Sequence, residues 1–103
     1  MEINGEWWDI ILVPPFDPLL HMKQDFYAIG VCDDNLKLIA INEELDNFYL
    51  KKVLCHELTH AAMFSYNVSL SHTQEELVAD LMATYGQEII NKTNEVFCDI
   101  KGC

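Results

Sequence analysis

Five consecutive residues, His56-Glu57-Leu58-Thr59-His60, carry the densest chemistry in this chain. They read H-E-x-x-H: two imidazoles four positions apart, with a carboxylate directly after the first. Side chains four apart on a helix stand one above the other on the same face. Two imidazoles so placed can both reach one zinc ion, at roughly 2.0–2.1 Å per Zn–N bond. Glu57 then lies beside that ion, where a carboxylate can take a proton from an attacking water. A catalytic zinc takes three protein ligands and keeps one position open, so the motif lacks one ligand.

That ligand has to come from elsewhere in the chain. The arrangement H-E-x-x-H-x-x-G-x-x-H is excluded, because Met63 stands at the glycine position and Tyr66 at the third histidine. The following helix offers Glu76 as the third ligand, with Asp80 one turn further along the same stripe. Asp80 is expected to accept a hydrogen bond from the free ring nitrogen of one histidine, which fixes the tautomer and makes the ligand more basic. Glu75 is the competing ligand, but it sits about 100° around the helix from the Glu76–Asp80 stripe. Thr73-x-x-Glu76 also matches a capping box, which would turn the Glu76 carboxylate back to the Thr73 amide. His21 and His72 are assigned to the polar surface, with His72 in the loop that would border a cleft. Tyr66 and Tyr85 are assigned to the core, with oxyanion donation as the alternative.

Six segments must position these groups. Trp7–Val13 (WWDIILV), aromatic and β-branched and stopped by Pro14-Pro15, reads as a strand. Asp17–Gln24 allows one or two helical turns entered at Asp17-Pro18. Phe26–Cys32 and Leu36–Asn42 read as two strands of a hairpin joined by Asp33-Asp34-Asn35. A helix from about Asn47 to Tyr66 follows, with Asp46 as its N-cap. At 100° per residue His56, Glu57 and His60 share its most apolar arc with Tyr49, Val53, Met63 and Phe64, while Leu58 falls on the opposite side. A carboxylate buried on such a face is costly unless something compensates it, and a metal does so. The second helix is expected from Thr73 or Gln74 to Asn91. Val78, Met82, Tyr85 and Ile89 form its apolar arc, and Ala79, Ala83 and Gly86 permit close approach to the first helix. Lys92–Cys103 shows no clear period.

The whole, 103 residues with half of them hydrophobic, suits a single α+β domain: a small twisted sheet of about three strands packed on the active-site helix and the glutamate-bearing helix. A net charge of −11 argues against nucleic acid and anionic membrane as partners. It suits solubility, and alternatively a preference for basic peptides. The cysteines Cys32, Cys55, Cys98 and Cys103 form no C-x-x-C and no dense scaffold pattern. With no signal-peptide pattern at the N-terminus and no long apolar run, the chain reads as a reduced, cytoplasmic protein.

The residues His56, Glu57, His60 and Glu76 resemble the glutamate-zincin metallopeptidases, in which H-E-x-x-H is followed by a glutamate ligand on the next helix. Within that group, HELTHA followed by EELVADLMA is similar to the small ImmA/IrrE-type peptidases of phages and mobile elements. Their E-x-x-A-N-x-F-A pattern would be carried by Glu76, Ala79, Asp80, Met82 and Ala83, with Asp80 replacing the usual Asn and Met82 the usual Phe. The resemblance covers about Ile39–Gln87. It implies a zincin-like fold, a Zn2+ cofactor, a peptide or protein substrate and peptide-bond hydrolysis with Glu57 as general base. Two rival expectations stand beside it. One is a zinc-binding regulatory or interaction module with little or no peptidase activity, using Trp7 and Trp8 if they are exposed. The other is a structural helix pair carrying a chance motif.

Overall fold

The computed structural model describes residues 1–103 and is α+β. The strands are β1 (Glu2–Ile3), β2 (Glu6–Trp7), β3 (Asp9–Val13), β4 (His21–Lys23), β5 (Phe26–Tyr27), β6 (Gly30–Asp33) and β7 (Leu38–Asn42). The helices are α1 (Asn47–Ser65), α2 (His72–Leu81) and α3 (Gln87–Lys101), with a π-helical turn at Met82–Gly86 joining the last two. The main sheet is three-stranded in the order β3-β7-β6. β3 runs parallel to β7, and β6 pairs antiparallel with it, Gly30 opposite Ile41 and Asp33 opposite Leu38.

Several strand boundaries differ from the sequence reading, each because the chain changes partner. The run Trp7–Val13 is two strands: β2 pairs with β1, whereas β3 pairs with β7. Trp8 sits between them with its side chain fully buried, and its indole N–H donates to Ser65 Oγ at 2.8 Å. Trp7 remains exposed, so only one of the two tryptophans is available at the surface. The β1–β2 hairpin turns on Asn4-Gly5, at φ of 49° and 81°, a pair suited to the positive-φ loop such hairpins require. Phe26–Cys32 also divides, since β5 pairs with β4 and β6 with β7. Asp17 does cap a helical turn, accepting from the Leu19 amide at 2.9 Å, but that turn covers only Pro18–Leu20 before the chain extends into β4.

Alternation along β7 divides the core. Ile39 and Ile41 face α1 and join Trp8, Val53 and Ala61 in one cluster; Ala40 faces the other way and joins Val13 and Leu20. Each large apolar side chain so buried contributes roughly 1.5–3 kcal/mol. Leu58 corrects the helical wheel: together with Leu50, Leu54 and Phe64 it packs against the first cluster. The packed arc of α1 is therefore wider than the sequence suggested, and it turns past Glu57 as far as Leu58.

Asp46 caps α1 as expected, its carboxylate accepting from the Tyr49 amide at 2.9 Å. The second helix begins earlier than expected, at His72, through a capping box made by Ser71 and Gln74. The reciprocal bonds measure 3.2 and 3.0 Å. This box displaces the one drawn from Thr73 and leaves the Glu76 side chain free of any capping duty. Beyond α2 the helix does not stop at Asn91: the π turn carries it into α3 as far as Lys101. Ala79 and Gly86 are buried, in keeping with the expected close approach, and Val78 is half-buried. Met82, Tyr85 and Ile89, expected on the apolar arc, are exposed. Ala79 and Gly86 lie inward, and these larger side chains are left outside.

Candidate metal centre

The motif lies in the third turn of α1, where that helix runs between β6 on one side and α2 on the other. His60 and Glu57 are buried, 7% and 6% exposed, and His56 is half-buried. The ring nitrogens His56 Nε2 and His60 Nε2 are 3.2 Å apart. Glu76 reaches both from α2: Oε1 is 2.9 Å from His60 Nε2, and Oε2 is 3.3 Å from His56 Nε2. Asp80 Oδ1 lies 3.0 Å from His56 Nδ1. Glu75 Oε1 lies 2.6 Å from His60 Nδ1.

These distances assign the tautomers. A carboxylate beside Nδ1 accepts its proton, so a neutral imidazole held in this way presents a lone pair at Nε2. Both histidines have such a carboxylate. Two Nε2 lone pairs and two Glu76 oxygens then converge on one small volume with no hydrogen between them. Acceptors facing one another repel, and either added protons or a cation must lie among them. A divalent cation satisfies all four at once, and the donor set of imidazole nitrogen and carboxylate oxygen is one that zinc accepts. The residues present therefore fit a metal ion: His56, Glu57 and His60 form one group able to hold it, and His56, Glu76 and Asp80 another.

Glu57 points into the same space with a different environment. Burial pushes its carboxyl above the ordinary 4.5; the adjacent His56 and His60 partly oppose this, and Glu76 adds to it. A carboxylate with a raised pKa, next to a candidate metal position, is suited to receiving a proton. β6 comes close to it because residue 30 is glycine. A Cβ at Gly30 would stand 2.6 Å from Val53 Cγ1 and 3.3 Å from Glu57 Cγ.

A cleft of about 800 Å³ opens over these groups. Its floor holds His56, Glu57, His60, Glu75 and Glu76, and one wall is formed by Ala28–Cys32 with Phe26 and Met22 at the mouth. β6 is an edge strand. Ile29 O accepts from Asn42 N at 2.9 Å, so with the antiparallel register the backbone groups of Gly30 and Cys32 point to the open side. The Cys32 thiol is pushed up to about 12, by burial first and then by the carboxylates of Glu57, Asp34, Glu75 and Asp33. It stays protonated, and no cysteine joins the groups able to hold a metal.

Every residue singled out in the sequence for the site is brought to it: His56, Glu57, His60, Glu76 and Asp80. His72 also lines the cleft. Tyr66 and Tyr85 are neither core nor cleft residues; both are exposed. Sequence reasoning missed the part played by Glu75. Its 100° offset from the Glu76–Asp80 stripe does not take it away from the site but carries it to the outer nitrogen of His60. The available signal was the pair of histidines itself, since two imidazoles need two outer partners and only Asp80 was assigned.

No family model matches the chain, and no curated protein or solved structure is detectably similar to it.

Proposed function

We propose that this chain is a zinc-dependent metallopeptidase of the glutamate-zincin type. The observation that carries the reading is the convergence of His56 Nε2, His60 Nε2 and both carboxylate oxygens of Glu76, each within 3.3 Å of another member of the set. His56, His60 and Glu76 would hold the zinc, which when bound supplies Lewis-acid polarisation of a carbonyl and a water whose pKa falls to about 7. Asp80 and Glu75 keep the two imidazoles in the tautomer that offers Nε2, and they hold the rings in place.

Glu57 is the general base. Its raised pKa places it nearer the working pH than an ordinary glutamate, so it gains the proton of the attacking water readily and gives it up to the leaving amine. The open edge of β6 supports an extended peptide as substrate: Gly30 and Cys32 present backbone donors and acceptors to the cleft, and a strand added there would run past Glu57. The apolar wall of Met22, Phe26 and Ile29 adjoins that path.

The test is Glu57→Gln. The variant is expected to bind zinc like the parent and to lose peptide hydrolysis by about 10²–10⁴-fold, the range for a general base. Undiminished hydrolysis would overturn the role of Glu57. Zinc bound by the parent with no hydrolysis of unstructured protein substrates would favour a zinc-binding regulatory module.

A further inference from the structure

Resting on the peptidase reading for an extended peptide in the cleft, we infer that Lys52 selects substrates with a carboxylate on the stretch of chain that leaves the metal centre toward Ala83. The floor of the cleft follows α1 from His60 through His56 to Lys52. α2 and the π turn run beside it, from Glu76 through Asp80 to Ala83. Lys52 stands one turn before His56, a rise of about 6 Å, and its Cβ tilts further the same way. An extended chain advances about 3.3 Å per residue. With the reach of the lysine stem added, the selected carboxylate lies about two to four residues from the bond held over the metal.

Charge decides what Lys52 takes. The net charge of −11 by itself points to basic peptides, but the acids of the cleft are already engaged. Glu75 and Asp80 are held on the Nδ1 atoms of His60 and His56, and Glu76 lies on both Nε2 atoms. Glu57 is buried beside the same metal position. Lys52 lines that cleft, is half-buried and pairs with no carboxylate of the chain, whereas Lys37 and Lys92 are both ion-paired. An ammonium partly withdrawn from water attracts a carboxylate more strongly than one in bulk solvent. Repulsion from acids elsewhere on the chain is screened beyond about 8 Å at physiological salt. The path past Lys52 also stays open. A groove of about 530 Å³ adjoins the cleft, and Lys52 and Ala83 line both. Ala83 adds only a methyl group at that junction. The groove beyond carries Lys51, which is exposed and likewise pairs with no carboxylate.

Peptide binding to the zinc-loaded Glu57→Gln variant tests this, because that variant is expected to hold a peptide without cleaving it. The probes are a short fluorescent peptide of neutral residues with both ends blocked, the same peptide with one Glu moved through its positions, and the neutral peptide with a free C-terminal carboxylate. Glu at one position or two adjacent ones is expected to tighten binding about three- to tenfold over the neutral peptide, and high salt is expected to remove most of that gain. Tightening by the free C-terminus alone assigns the carboxylate to a chain end rather than a side chain. With Lys52→Met added, which keeps the stem, the acidic-to-neutral affinity ratio is expected to fall to about one. With Lys52→Glu the preference is expected to pass to peptides with Lys at the same position, a gain that a misfolded protein cannot produce. An undiminished preference for acidic peptides in Lys52→Met, no carboxylate favoured at any position, or no binding of any peptide would each overturn the Lys52 site. Hydrolysis of the neutral peptide by the parent judges the peptidase reading separately. A Lys52-dependent preference without hydrolysis removes that reading and leaves the site, whereas hydrolysis without the preference removes the site alone.

Discussion

Glu75 and Glu76 are neighbours in the chain, yet the structure gives them unlike contacts, and on the proposed function their zinc affinities as variants should separate sharply. Glu76 faces both Nε2 atoms, at 2.9 and 3.3 Å. Glu75 touches only the outer nitrogen of His60, at 2.6 Å, with a side chain 18% exposed. Removing an outer partner of a ligating histidine costs about 10–100-fold in metal affinity, which is about 1.4–2.7 kcal/mol. Glu75→Ala should fall near the upper end of that range, because little water reaches His60 to replace the lost acceptor. Asp80→Ala should fall near the lower end, since the Asp80 side chain is 68% exposed and water can take its place. On the proposed assignment Glu76→Ala removes a ligand and should exceed the whole range. Glu75→Gln is the control: its amide oxygen still accepts from Nδ1–H, so most of the affinity returns. Competition for zinc against a chromophoric chelator measures all four. Zinc affinity lost in Glu75→Ala but kept in Glu76→Ala would refute the assignment of ligand and outer partner.

Three further outcomes follow from the packing. Burial holds the Glu57 carboxyl above 4.5 in the folded state; as pH rises the unfolded chain therefore loses its proton first, and stability falls until pH passes the folded pKa. In metal-free protein, Glu57→Gln should melt above the parent at neutral and alkaline pH, and that gain should vanish below 4.5, as read by thermal scans across pH. Gly30→Ala drives a methyl into Val53 and toward Glu57. It should cost about 1–3 kcal/mol in urea unfolding, as overpacking does, and Val53→Ala in the same chain should recover part of the loss by making room. Ser65→Ala leaves the buried Trp8 indole N–H without its acceptor and should cost about 1–3 kcal/mol by the same measurement.

Much of the fold was legible where local chemistry decides. Asp46 announced the start of α1, and the chain turned at Asp33-Asp34-Asn35 as their side chains allow. The strands β3 and β7 were visible as continuous hydrophobic runs; β7 is buried on both faces, whereas Ile10, Ile11 and Leu12 of β3 are exposed. Strand ends were less legible. Trp7–Val13 and Phe26–Cys32 each read as continuous, since nothing in either run marks where its hydrogen bonds pass from one partner to another. The helix beyond Asn91 was not legible either: a π turn shifts the phase of the apolar positions, and no residue of α3 is buried to give its stripe a direction.

The sequence by itself determined the two histidines and the carboxylate on one face, because helical periodicity places His56, Glu57 and His60 together whatever the rest of the chain does. It also narrowed the remaining donors to Glu75, Glu76 and Asp80, on the next helix. Tertiary structure alone decided which did what. A helix fixes the angle between Glu75 and Glu76, but not how that helix is rotated against α1. Ala79, the buried residue of α2, marks the face that turns inward. With it, Glu76 turns to the inner nitrogens of both histidines, and Glu75 and Asp80 each take one outer nitrogen. The elevated pKa of Glu57 was likewise beyond the sequence, since it depends on how closely β6 approaches at Gly30 and so excludes water from the carboxylate.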